Sequence, residues 1–435
     1  MTERTHRQKP RTSRLLVAIE TILTSGIISV PFMTILYEKE IGLNHEQIAI
    51  TQAAFTLVAM LLNIPLGWVA DRYSRKGANI VGDLCCFLGL ILYSRAQTMF
   101  DCILCETFFG VGIAASQGVD STLLQHFADK EDPSNDSALY KDCSAKVSSI
   151  CQLMCLVFYL IGFAIGDMNV RDIILISSIP FIPAIIASCF IKDDSEKLKK
   201  SGESPFKSMK KIAKKSIKNP ETNIRIAAYI ISREITHGII WCFTPILQRL
   251  GVDGKWIVLG WAANSFAAFI GTKLARKFRT NLPEWICLLI PVTAVSLAAF
   301  VMSRGITAFT LGLYVFFGMT QGWTSVIMMP NLKVHAPKEK GVTIESFAKT
   351  CSQAYYIVSV WIIGRAADIK LEYAPLAIIL LFAPLAIPVV IRLKHQERHE
   401  KTHPKNPSKE EADCVDTEAE ANAEEPKILE VTFDD

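Results

Sequence analysis

The chain has 435 residues, half of them hydrophobic and only 20% charged, with a formal net charge of +4. The charges crowd between long apolar stretches, which excludes an ordinary soluble domain, where they would be spread over the surface. No nucleic-acid partner is expected.

Residues 1–14 are polar and basic and lack the short apolar region and small-residue cleavage site of a signal peptide, so they are expected to form a cytoplasmic tail. Twelve apolar stretches follow, near residues 15–37, 47–70, 77–97, 101–125, 143–166, 172–191, 224–248, 255–275, 282–303, 306–330, 342–366 and 373–393. About 20 apolar residues rise roughly 30 Å as a helix, the thickness of the hydrocarbon layer. The pattern predicts an all-α membrane protein of twelve transmembrane helices, with six in residues 15–191 and six in residues 224–394. Internal prolines such as Pro65, Pro180, Pro245 and Pro384 are tolerable where neighbouring helices re-satisfy the freed carbonyls.

Between the second and third stretches stands Gly67-Trp68-Val69-Ala70-Asp71-Arg72-Tyr73-Ser74-Arg75-Lys76. Its basic residues, those before the first helix, Lys273, Arg276, Lys277 and Arg279, and Lys333, Lys338 and Lys340 fall in alternate loops, which puts both termini on the cytoplasmic side. Residues 192–223 hold ten lysines against five acids. They read as a long cytoplasmic loop that either obeys the orientation rule or lies along anionic lipid headgroups. Residues 395–435 are charged, proline-bearing and increasingly acidic, and are expected to be disordered.

The halves repeat. Gly67 to Arg72 has a counterpart in Gly271 to Arg276, with Ala275 in place of the acid, and Phe108-Phe109-Gly110 recurs as Phe316-Phe317-Gly318. Equivalent places in two sets of six helices fit two bundles related by an axis along the membrane normal, with a site between them.

Ionisable side chains at membrane depth cost several kcal/mol unless they face protein or water, so each is a functional candidate. The seventh stretch carries Arg233, Glu234 and His237 at midplane depth, with Trp241 continuing the His237 face. This group suits proton coupling or capture of a charged solute; pairing within the interior is the other reading. Glu20 is the next candidate and is expected to face the same cavity. Glu106 is shallower, and Gln152 and Asn264 read as bonds between helices. Twelve cysteines lie almost all in apolar helices and read as small hydrophobes. The lone Cys102-x-x-Cys105 lacks further ligands, so no metal and no cofactor are expected. No phosphate-binding glycine loop is present, which points to an ion gradient as the energy source. No nucleophile and base pair suggests an enzyme.

The 67–76 loop resembles the signature of the major facilitator superfamily of secondary transporters, Gly-x-x-x-Asp-Arg-x-Gly-Arg-Arg/Lys, with Ser74 at the second glycine. The resemblance covers roughly residues 12–395. It implies alternating access of two six-helix bundles, with helices 1, 4, 7 and 10 lining the cavity. That favours Glu20, Arg233, Glu234 and His237, and adds Gln321 and Trp323. It also implies a cytoplasmic latch of Gly67, Asp71, Arg72, Arg75, Lys76 and Asp120, in which Asp71 meets the start of helix 11 and Arg75 pairs with Asp120. This latch would favour a cytoplasm-closed, outward-open state. The fifth helix lacks the Gly-Pro motif of many drug-exporting relatives.

The leading expectation is a monomeric, proton-coupled transporter of a small organic solute in contact with membrane lipids, in a bacterial inner membrane. A multidrug or metabolite exporter is the alternative, and a sensor or lipid-handling protein is the alternative of another class.

Overall fold

A computed structural model describes residues 2–116, 118–132, 138–191, 220–237, 240–252, 254–278, 282–305, 307–334 and 341–402. Among them are sixteen α-helices and no strand. In chain order these are α1 (Thr2–Thr24), α2 (Val30–Ile35), α3 (His45–Arg72), α4 (Arg75–Tyr93), α5 (Met99–Ser116), α6 (Val119–Glu131), α7 (Ala138–Ala164), α8 (Val170–Ile176) and α9 (Phe181–Phe190) in the first half. The second half has α10 (Pro220–His237), α11 (Phe243–Arg249), α12 (Trp256–Phe278), α13 (Glu284–Arg304), α14 (Ala308–Val334), α15 (Gly341–Ile369) and α16 (Tyr373–Thr402). By length and composition, seven helical runs among the described residues could cross a membrane.

Twelve passes account for sixteen helices because four passes are interrupted. The first breaks between α1 and α2. Thr24 and Ser25 hydroxyls donate back to the carbonyls of Glu20 and Ile22, and Pro31 opens the next helix without a donor. The pass ends in a π-helical turn, Leu36–Ile41, closed by Gly42 at φ 80°. Gly118, at φ 86°, separates α5 from α6, and Pro180 precedes α9. In the seventh pass α10 is described as far as His237, and a short 3₁₀ turn, Ile240–Cys242, stands before α11.

Several boundaries differ from those expected. α1 reaches back to Thr2, α10 starts at Pro220 rather than 224, and α16 runs to Thr402, so residues 395–402 are helical where disorder was expected. Polar and charged residues continue these helices because helix geometry does not stop where hydropathy falls. Most of the central loop (192–219) and the tail beyond 402 lie outside the described residues.

The repeat is visible in the packing. A Cβ on Gly110 would stand 2.9 Å from the Phe55 carbonyl oxygen, and one on Gly318 2.3 Å from that of Asn264. Equivalent glycines thus seat the fourth pass on the second and the tenth on the eighth. Ser74 occupies the signature's second-glycine position because it caps α4, its Oγ accepting the Gly77 N–H at 2.9 Å.

The two bundles meet closely at the end opposite the Asp71–Arg75 loop. Asp368, near the end of α15, accepts the backbone N–H groups of His45 and Glu46 at 2.9 and 2.8 Å. It therefore caps α3 across the interface and meets the positive end of that helix. Arg365 pairs with Glu46, and Lys255 with Asp167 at 2.5 Å. Gly364 lets the backbones approach, since a Cβ there would lie 2.9 Å from the His45 carbonyl oxygen.

Candidate functional site at the bundle interface

The C-terminal end of α10 carries Arg233, Glu234 and His237. Glu234 is buried, and its Oε1 accepts a short hydrogen bond from the buried Ser352 hydroxyl on α15. Arg233 Nε lies 3.4 Å from the same oxygen, and Arg233 Nη1 donates to the Tyr229 hydroxyl at 2.8 Å. One carboxylate oxygen thus holds a hydroxyl donor and a guanidinium, the pairing that makes a charge tolerable away from water. The guanidinium side chain keeps 34% exposure against 4% for its partner, so the pair is open on the Arg233 side.

His237 sits one turn on. Its Nδ1 lies 2.8 Å from the Arg233 carbonyl oxygen, which can only accept, so Nδ1 carries the proton and Nε2 is left as the free nitrogen. Its ring meets Tyr356 of α15 edge-on at 6.5 Å. Trp241 Nε1 donates to the Tyr356 hydroxyl at 3.2 Å.

Trp241 then crosses to the other bundle. Its ring lies 6.4 Å from that of Tyr37, whose hydroxyl donates to Glu106 Oε1 at 3.1 Å. Gln52 Nε2 donates to the same oxygen at 2.5 Å, and the Tyr93 hydroxyl supplies Tyr37 at 2.8 Å. Two buried carboxyl groups, one per bundle, thus lie at the ends of a run of contacts through Arg233, His237, Tyr356, Trp241 and Tyr37. Arg233, His237, Trp241 and Tyr356 are part-exposed and can offer a guanidinium, an imidazole and ring faces to a molecule lying between the bundles, with the two acids buried behind them.

The other expected residues fall elsewhere. Glu20 does not join Arg233 and Glu234: it faces Asn79 and Asp120 inside the first bundle, because α1 packs on α6, α7 and α9 at that depth. Trp323 donates its indole N–H to the Cys287 carbonyl at 3.0 Å, tying α14 to α13, and Gln321 is half-buried two residues earlier on α14. Of the latch, Asp120 accepts from Asn79 Nδ2, Lys76 Nζ donates to the Cys189 carbonyl at 2.6 Å, and Arg75 opens α4 one turn before Asn79. Gly67 has no neighbour within 4 Å of a built Cβ, and Asp71 and Arg72 close α3, their side chains outside the described set. Sequence reasoning missed Tyr37, Gln52, Ser352 and Tyr356. Their only signal is helical spacing, Ser352 to Tyr356 being one turn.

The family model of the Major Facilitator Superfamily matches residues 15–360, most of the chain. The chain belongs to the major facilitator superfamily. It is therefore a membrane transporter built of two six-helix bundles and not an enzyme. Within the superfamily's solved structures, the crystal structure of the nucleoside transporter NupG superposes with a TM-score of 0.71, covering 89% of this chain and 99% of that one at 10% identity. No curated protein matches the chain.

Proposed function

We propose that this superfamily member is a proton-coupled secondary transporter of a small, ring-bearing polar solute. The observation that carries the reading is the buried Glu234, held by Arg233 and Ser352 just before the 3₁₀ turn of the seventh pass, with Arg233 and His237 leading through Tyr356, Trp241 and Tyr37 to Glu106 of the opposite bundle. Interrupted passes at the bundle interface place polar groups where a solute can use them. Protonating Glu234 removes its attraction for Arg233 and frees that guanidinium for acceptors on the solute. Releasing the proton re-forms the pair and expels the solute to the other side. Trp241 and Tyr356 supply ring faces, and His237 Nε2 supplies an acceptor.

The cluster of Gly67, Asp71, Arg72, Arg75, Lys76 and Asp120 serves as the gate at the other end, with both termini on the cytoplasmic side. The bundles move as one monomer in lipid. Nucleosides, the solutes in the NupG name, are ring-bearing and polar and are the first probes to try.

The test is solute-induced proton movement in vesicles containing the purified protein and a trapped pH dye. One class of solute should shift internal pH as it accumulates. A panel that includes nucleosides and drug-like cations and moves no protons, while some solute still accumulates, would contradict proton coupling.

A further inference from the structure

A second acidic group lies inside the first bundle, away from α10. Glu20 of α1 is fully buried, Asp83 and Asn79 of α4 are buried, and Asp120 opens α6. Asn79 Nδ2 donates to Asp120 Oδ1 and lies 3.5 Å from Glu20 Oε2, and Thr21 Oγ1 is 3.4 Å from that oxygen. The Asn79 amide thus bridges the Glu20 and Asp120 carboxyls.

The group also lacks donors. Among the described residues Glu20 Oε1, Asp83 Oδ2 and Asn79 Oδ1 have no partner, although each side chain is more than nine-tenths covered. Three carboxyls and an amide oxygen with too few hydrogens form a place that takes up positive charge. Two cations on the surrounding helices, Arg14 and Lys76, are directed elsewhere. On α7 the Cys151 thiol turns to the Thr21 carbonyl of α1 at 3.8 Å. The nearest guanidinium on α1, Arg14, is engaged by Glu131 at 2.8 Å and by Cys143. Lys76 is turned to a carbonyl of α9, and α9 itself carries no charged residue.

We propose that Glu20, Asp83 and Asp120 form a proton-binding site in the first bundle, with Asn79 bridging Glu20 and Asp120. No described cluster of His, Cys, Asp and Glu has the arrangement of a metal site, which favours the proton over a metal cation. Asp120 stands at the latch end of the molecule, so loading this site acts on the gate directly. The proposal deepens the proton-coupled reading and is separable from Glu234.

Infrared spectra of the purified protein in lipid vesicles, scanned across pH, test it through the C=O stretch of protonated carboxylic acids. The native protein should show such a band at neutral pH that disappears on alkalinisation. The band should be lost in Glu20→Gln and in Asp120→Asn, and retained in Glu234→Gln. Thermal melting of each variant reports whether it is folded, and two independent variants guard against loss of either one. A neutral-pH spectrum with no protonated carboxyl, a band unchanged in both variants, or a band displaced by sodium at constant pH would overturn the proposal.

Discussion

At the residue scale, the candidate site depends on buried acids whose donors come from other helices. Ser352 is the neutral donor to Glu234. Ser352→Ala leaves that oxygen with Arg233 alone and should cost about 1–3 kcal/mol, the penalty for a buried acceptor that loses a donor. Thermal melting in detergent checks this, and Ser352→Thr should recover most of the loss. Gln52→Leu removes the shorter of the two donors to Glu106 and should lower stability by a similar amount, without touching α10. The charges at this scale were legible in the sequence, because Glu234, Arg233, His237 and Glu20 interrupt apolar runs. Their partners were not: Ser352, Tyr356 and Tyr37 are chemically ordinary in a membrane helix, and only the packing of α10 on α15 and of Tyr37 on Trp241 turns them into site residues. Asp83 interrupts the third apolar run in the same way, yet what distinguishes it is the company of Glu20 and Asp120 from two other helices.

At the element scale, hydropathy revealed twelve passes and a repeat but no interruptions. Residues 25–29, Ser-Gly-Ile-Ile-Ser, are as compatible with a continuous apolar helix as with the break between α1 and α2, and the decision lies in hydroxyl back-bonding and Pro31. The glycines of the repeat were legible as a motif, and the structure gives them a reason. A Cβ on Gly271 would stand 2.0 Å from the Met319 carbonyl oxygen, and Gly318 is nearly as tight against Asn264. Gly271→Ala and Gly318→Ala should therefore each destabilise the second bundle by about 1–3 kcal/mol through overpacking. Gly67→Ala, with open space around it, should not. Melting temperatures of the three variants compare them directly, and an equal loss at Gly67 would contradict the packing account.

At the scale of the whole molecule, the bundles are pinned at the end where Asp368 caps α3 and Arg365 meets Glu46. The proposed latch would act in the same manner at the opposite end, setting an acid near the end of one helix against the start of another. His45 lies 3.0 Å from Asp368 and 3.4 Å from Glu38. Burial pushes the Glu38 carboxyl up, with His45 and Lys39 acting in the other direction. A group raised in the closed state binds more protons there than when exposed, so lowering the pH through its range favours closure, and raising the pH opposes it. Spin-label distances between Asn44→Cys and Lys370→Cys should shorten as pH falls, and Asp368→Asn should lengthen them at every pH. The central claim, that proton coupling resides on Glu234, is tested most directly by comparing vesicles of native protein and Glu234→Gln under an imposed pH gradient. The account predicts that the variant loses gradient-driven accumulation of solute while still exchanging solute for solute; accumulation equal to that of the native protein would contradict it.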